Sequence, residues 1–197
     1  MAIAGGGVFE QVTILLSFVY AIALTHLLSS ASDLIVEYRR VSVSWLYLLW
    51  LVDALLILLA NWLAFWGLHT VKEWTVAQIL LQFSLAFVQY FTCSTLLIRQ
   101  RDGEPIDLGA LFEQRRAMLV SAFIGVYAIS MAINYIDRDI FFGPHPTDWI
   151  MPNIILLLSL PFIVLAGWAR ARWTQWLGGI VLFATGVQFL VAYTITN

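Results

Sequence analysis

Asp53 stands within WLYLLWLVDALLILLANWLAFW, a run with no other charged residue. An acid in the middle of a bilayer-spanning helix costs about 2.5–3.5 kcal/mol, while each leucine around it returns about 0.3–0.6. The run can therefore enter a membrane, and the retained carboxyl is what needs a reason. A carboxyl at that depth either takes up and releases a proton or small cation, or ties two helices together by hydrogen bonding. Asp53, Ala60 and Gly67 follow at i, i+7 and i+14, a small-residue face suited to close approach of a second helix.

The next apolar run carries glutamines. Gln78, Gln82 and Gln89 recur at i, i+4 and i+11, which places them within about 40° of one another on a helix, with Cys93 continuing that side. Gln89 and Asp53 lie equally deep when counted from the arginine-bearing ends of their runs, so antiparallel neighbours bring them together. Such a stripe lines a hydrated path or supplies interhelical hydrogen bonds worth about 0.6 kcal/mol each. The first run holds two patterns. His26, Ser30, Asp33 and Glu37 form a stripe at i, i+4, i+7 and i+11. It reads as a proton relay or cation site, or as the wetted face of a helix projecting past the lipid, pairing with Arg39 or Arg40. Ser17, Ala21, Thr25 and Ser29 recur every four residues, a strip for helix packing or dimerisation.

No cofactor, metal or catalytic group is expected. A retinal Schiff base needs a lysine inside the membrane, and Lys72 is the sole lysine, in a loop. His26 lies at one membrane level and His69 and His145 at the other, so two histidines do not meet across a haem. His69 and His145 share ligand chemistry with Asp137, Asp139 and Asp148, but without a metal-binding spacing. Solvated loop residues are the simpler reading. Cys93 is the sole cysteine, so neither a disulfide within the chain nor a cysteine metal cluster arises. There is no HExxH, no GxSxG and no phosphate-cradling glycine loop; Gly178, Gly179 and Gly186 read as packing glycines. Nucleic acid is not expected as a partner.

These residues are positioned by helices in lipid. The chain is 61% hydrophobic and 11% charged, with mean hydropathy +0.87, whereas a soluble domain carries about a quarter charged residues. A span needs about 20 apolar residues, and six stretches qualify, near 8–31, 44–68, 74–98, 117–136, 149–168 and 174–195. The expectation is an all-α single domain, a six-helix transmembrane bundle. Arg39 and Arg40, then Arg99, Arg101, Arg115 and Arg116, then Arg170 and Arg172 occupy alternate gaps, leaving Lys72 and Arg138 for the others. Positive residues stay inside, so both termini are expected outside, in a bacterial periplasm, with the first run kept as a span.

Tryptophans support that orientation: Trp45, Trp50, Trp168, Trp173 and Trp176 fall at the inner level, and Trp62, Trp66, Trp74 and Trp149 at the outer. Gly103 and Pro105 are expected to break the third helix. Asp107 is expected to cap a short interfacial helix carrying Leu108, Leu111 and Phe112 on one face. Thr147 or Asp148 is the expected cap of the fifth span, and Pro161 its kink.

The segments FEQVTILLSFVYAIALTHLL, SWLYLLW and IDLGALFEQRR resemble a group of small multi-pass bacterial membrane proteins over roughly residues 9–120. That resemblance implies a bacterial inner-membrane protein and brings no activity with it. Locally, FVYAIALTHLL and WLAFWGLH are similar to the first two helices of six-helix potassium channels of the lysosomal type. Leu16, Ser17 and Phe18 replace the Phe-Ser-Asp signature of those channels, whose termini lie on the cytoplasmic side. The expected function is that of a non-enzymatic membrane protein acting as a homo-oligomer or an accessory subunit of a membrane complex. The alternative is a small ion or proton channel or carrier using Asp53, Gln82 and Gln89. A quinone or pigment binder ranks behind both, because aromatic belts account for most of the 15% aromatic content.

Overall fold

The computed structural model describes residues 3–71, 73–98, 105–141, 145 and 150–192. In chain order these form β1 (Ile3–Ala4), α1 (Gly5–Val36), β2 (Val41–Ser42), α2 (Trp45–Trp66), a 3-10 turn (Gly67–Thr70), β3 (Glu73–Trp74) and α3 (Val76–Thr95). There follow β4 (Ile106–Asp107), α4 (Leu108–Ile136), the single turn α5 (Arg138–Phe141), α6 (Ile150–Trp168) and α7 (Arg172–Ala192). The protein is helical throughout, apart from two-residue strand pairs. Five helical stretches, Phe9–Val36, Trp45–Thr70, Val76–Thr95, Leu108–Ile136 and Arg172–Val191, are long and apolar enough to cross a membrane. The apolar stretch Asn153–Trp168 is shorter. Thr147 and Asp148, the expected caps of that helix, lie outside the described residues. The helix runs unbroken through Pro161.

Side-chain and strand pairings fix the direction of each helix. α1 runs parallel to α3: Phe9 lies 6.2 Å from Trp74, His26 lies 5.4 Å from Tyr90, and Ser30 bonds to Leu96. α4 is antiparallel to α3, with Gln78 bonded to Asp137 at one end and Arg115 to Thr95 at the other. It is antiparallel to α6 as well, through Asn134–Asn153 and Arg116–Ala169. α7 runs parallel to α2, because Gly179 meets Leu49 and Gly186 meets Leu56. The N-terminal strand and the last turn of α7 therefore share one end of the bundle, the terminal end. There β1 pairs antiparallel with β3. At the opposite, arginine-rich end, β2 pairs in parallel with β4. α2 touches α1, α3, α4 and α7 and so forms the central post.

Two helix boundaries differ from the sequence expectation. α4 is one helix of 29 residues, not an interfacial helix followed by a span. Asp107 does cap it, accepting from the Gly109 and Ala110 amides at 2.8 and 3.1 Å, and no glycine or proline interrupts the segment between Ala110 and Ala122. α3 ends at Thr95, before Gly103 and Pro105 are reached. Its last carbonyls are taken by side chains of other helices, which ends the ladder without a helix-breaking residue.

Trp50 and Trp74 also depart from expectation. Both are buried in the core, not placed in an interfacial belt. Trp50 packs 5.8 Å from Phe112 and 5.4 Å from Phe123. Gly178 and Gly179 give α7 the clearance to lie on it. A Cβ on Gly178 would stand 2.6 Å from the Ala166 Cβ, and one on Gly179 would stand 2.7 Å from Leu49 Cδ2. Trp74 packs against Phe9 and Phe65 near the terminal end. Trp45, Trp168 and Trp173 remain exposed, as belt residues should.

Candidate functional site

At the arginine-rich end, side chains from three helices converge on the end of α3. Ser30 of α1 donates to the Leu96 carbonyl at 3.2 Å, and the Tyr47 hydroxyl of α2 donates to the same oxygen. Arg115 of α4 donates to the Thr95 and Leu97 carbonyls at 2.9 and 2.7 Å. The next residue, Arg116, donates to the Ala169 carbonyl at 2.8 Å, just beyond α6. Each arginine thus caps the C-terminal end of a neighbouring antiparallel helix, where backbone carbonyls lack partners and the helix dipole is negative. Ser30 therefore leaves the expected His26–Glu37 stripe for a structural task. Glu37 pairs with Arg40 at 3.5 Å, and His26 is half-buried against Tyr90.

Deeper in the bundle the pattern reverses. Asp53 is 0% exposed, and neither carboxyl oxygen has a hydrogen-bond partner. Along the same interior, Trp50 Nε1, Gln89 Oε1 and both amide atoms of Gln175 are buried without partners. Gln175 precedes by one turn the glycine that contacts Trp50. Gln89 donates its amide to the Ile57 carbonyl at 3.2 Å, one helical turn along α2 from Asp53. The acid and the glutamine's anchor on α2 are thus one turn apart, and the two side chains are not bonded to each other. A buried polar group without a partner costs about 1–3 kcal/mol, more when charged; of the capping side chains Ser30, Tyr47, Arg115 and Arg116, only Arg116 leaves such an atom, its Nε.

Toward the terminal end, a cavity of about 110 Å³ opens among α2, α3, α4, α6 and α7. Gln82, Asn61, Ser130, Asn134, Tyr127 and Thr185 give it a polar lining, and Ile57, Ala60 and Leu85 part of its apolar wall. Ser130 donates to Asn61 Oδ1 at 3.4 Å, and Asn134 donates to Asn153 Oδ1 at 2.6 Å. Tyr127 sits at the deep side. Its hydroxyl lies near the hydroxyls of Ser159 and Thr185, with Asp53 near enough to bear on it electrostatically. Ser159 and Thr185 donate to the Leu156 and Val181 carbonyls at 2.8 Å each, so the single Tyr127 hydroxyl hydrogen is shared with at most one of them at a time.

The small-residue faces divide. Ala60 is buried at the cavity wall, and Gly67 begins the 3-10 turn beyond α2. On α1, Ser17 is half-buried, while Ala21, Thr25 and Ser29 are exposed on the side turned away from the bundle. Sequence reasoning passed over Tyr127, Ser159, Thr185, Asn61, Ser130, Asn134 and Gln175. The signal was present in part: hydroxyl and amide residues recur inside apolar runs on α2, α4, α6 and α7, each unremarkable until the helices are assembled.

At the terminal end, Asp137 is buried beyond the last turn of α4. Burial raises its pKa above the usual carboxylate range, and the Gln78 amide, donating to it at 2.6 Å, opposes that rise. Gln78 also closes a capping box with Thr75 at the start of α3. Among the described residues, no three His, Cys, Asp or Glu side chains gather as a metal site. The arrangement offers one buried acid beneath a neutral, hydrogen-bonding cavity, a layout suited to holding a proton or small cation. No family model, no curated protein and no solved structure matches this chain.

Proposed function

We propose that this chain is a non-enzymatic six-span protein of the bacterial inner membrane that moves a proton or small cation through its bundle by way of Asp53. The observation that carries the reading is the Asp53 carboxyl, enclosed by packed helices and bonded to none of them. An acid retained to tie helices together would spend its oxygens on a neighbour. An acid that exchanges a proton or cation keeps them available. Gln82 on the cavity wall and Gln89 beside α2 are the polar companions. The orientation, termini on the periplasmic side, draws support from Arg39, Arg40, Arg115, Arg116, Arg170 and Arg172 at one end of the bundle, against Arg138 at the other. Membership in the small multi-pass bacterial group that residues 9–120 resemble belongs to the same proposal. The test is ion and proton flux in proteoliposomes. Flux should vanish in Asp53→Asn and survive in Asp53→Glu; equal flux in Asp53→Ala overturns the assignment.

A second reading, a homo-oligomer or accessory subunit of a membrane complex, has its own observation. Ala21, Thr25 and Ser29 are exposed on α1, uncovered by any helix among the described residues. Small residues on a lipid-facing strip permit close approach of another helix. Native mass measurement in mild detergent tests it, and a strict monomer without a co-purifying partner counts against it.

A further inference from the structure

We infer that the cavity is the entrance vestibule of Asp53, a hydrated site for a hydronium or small hydrated cation arriving from the terminal end, and that Tyr127 is the barrier between vestibule and acid. The inference rests on the transport reading and adds to it a route, a side and a barrier residue.

Size decides the class of occupant. Pockets for cofactors and drug-sized ligands measure about 300–1,000 Å³, so a cavity of about 110 Å³ is too small for a quinone ring and its tail. At about 30 Å³ per water it holds a few waters or one small hydrated ion. The wall is mostly apolar, and its hydrogen-bonding groups are few and neutral: Asn61, Gln82, Ser130 and Asn134 present amide and hydroxyl oxygens, and among the described residues no carboxylate or basic side chain lines it. Neutral oxygens replace part of a hydration shell without trapping the ion, as a conducting site requires.

Position supplies the route. Along α2 the cavity wall runs from Leu68 to Ile57, and Asp53 is the next turn, about 6 Å further along the axis. Thr185 and Tyr127 stand on the wall at that deep side. Tyr127 stands near Ser159 of α6 and Thr185 of α7. Its ring is buried, whereas Asn61, Ser130 and Asn134 are only half-buried. Gln82 on the cavity wall is as buried as Tyr127, and exposure reaches zero at Asp53.

The test is cysteine accessibility, which does not depend on flux. In a Cys93→Ser background, single cysteines are placed by Asn134→Cys, Ser130→Cys and Asp53→Cys. Each is exposed to a cationic, membrane-impermeant thiosulfonate added from the terminal side. Asn134→Cys and Ser130→Cys should react readily, and Asp53→Cys slowly. Adding Tyr127→Ala should accelerate the Asp53→Cys reaction about tenfold, equal to about 1.4 kcal/mol in the equilibrium that exposes the thiol. Tyr127→Phe, which keeps the ring and removes its hydroxyl, gives a smaller acceleration and serves if the alanine variant does not fold. Protection of both vestibule cysteines from the terminal side, or an Asp53→Cys rate indifferent to both Tyr127 variants, overturns the inference. Loss of flux in Asp53→Asn alongside that indifference removes the vestibule and leaves the transport reading standing. The expected labelling with equal flux in Asp53→Ala removes the transport reading instead.

Discussion

Ser30, Tyr47, Arg115 and Arg116 bring their donors to helix-end carbonyls at the arginine-rich end, whereas Trp50, Asp53 and Gln89 further along the bundle, and Gln175 in the first turn of α7, keep buried polar atoms without partners. Both groups consist of polar side chains inside an apolar bundle, and both carry a desolvation cost. The first offsets it with bonds to helix-end carbonyls, whereas in the second only the Gln89 amide finds a bond, to the Ile57 carbonyl. The difference separates two uses of polarity in a membrane protein: the capping layer holds helices at a fixed height, and the interior line contributes little that holding requires. A residue from one group should therefore respond to substitution unlike a residue from the other.

Arg115→Ala is the strongest way to break the comparison. It removes two charge-assisted hydrogen bonds and leaves the Thr95 and Leu97 carbonyls without that donor. Such bonds contribute about 1.5–3 kcal/mol each, partly recovered here by water at the bundle end. The expected loss is about 2–4 kcal/mol, read as a lower melting temperature in detergent. Arg115→Lys keeps the charge but not the two-carbonyl reach of one guanidinium, and should recover part of the loss. A melting curve unchanged by Arg115→Ala would mean the capping layer does not hold the bundle.

Asp53→Asn has a smaller effect of the opposite sign. No hydrogen bond is lost, and a buried acid becomes a neutral amide of the same shape. An unpartnered buried carboxylate is costly when charged, and the amide removes that cost while leaving its own polar atoms without partners, so the net change should be near zero or slightly stabilising. Melting should stay level or rise while flux is lost. A drop as large as that of Arg115→Ala would place Asp53 among the structural groups and erase the distinction.

Much of this was legible in the sequence. Apolar run length and the alternating arginines gave the helical bundle, because lipid admits few other structures. Asp53, Gln82 and Gln89 were conspicuous for their cost. Three things were hidden, each for a physical reason. The end of α3 is set by Ser30, Tyr47 and Arg115, residues distant in the chain, so the search for a nearby glycine or proline misplaced it. Trp50 looks interfacial by position, and turns inward because Gly178 and Gly179, more than a hundred residues later, leave room beside it. The cavity is distributed over five helices, and one hydroxyl or amide per helix carries no pattern along the sequence. The arginines were read as orientation signals, and their second role as caps depends on how long α4 proves to be.

Asp137 sharpens the comparison at the terminal end, with the smallest expected effect. Like Asp53 it is a buried acid, but it has a partner in Gln78. Burial raises its pKa in the folded protein, and the Gln78 bond only partly restores the charged form. The unfolded chain ionises near pH 3.9, so between that value and the higher folded pKa the native state binds more protons than the unfolded one. Stability from this group is therefore full at low pH and declines as pH rises through that window, then levels off above the folded pKa. Asp137→Asn keeps an acceptor for Gln78 and cannot ionise, so its melting temperature should lack this component of the decline, a difference of a few degrees at about 2–4 °C per kcal/mol. Identical pH profiles for the two proteins would mean that Gln78 and nearby solvent offset the burial of Asp137 in full. A hydrogen-bonded acid would then behave as one already at ease in its charged form, and the lack of any such partner at Asp53 would set it further apart.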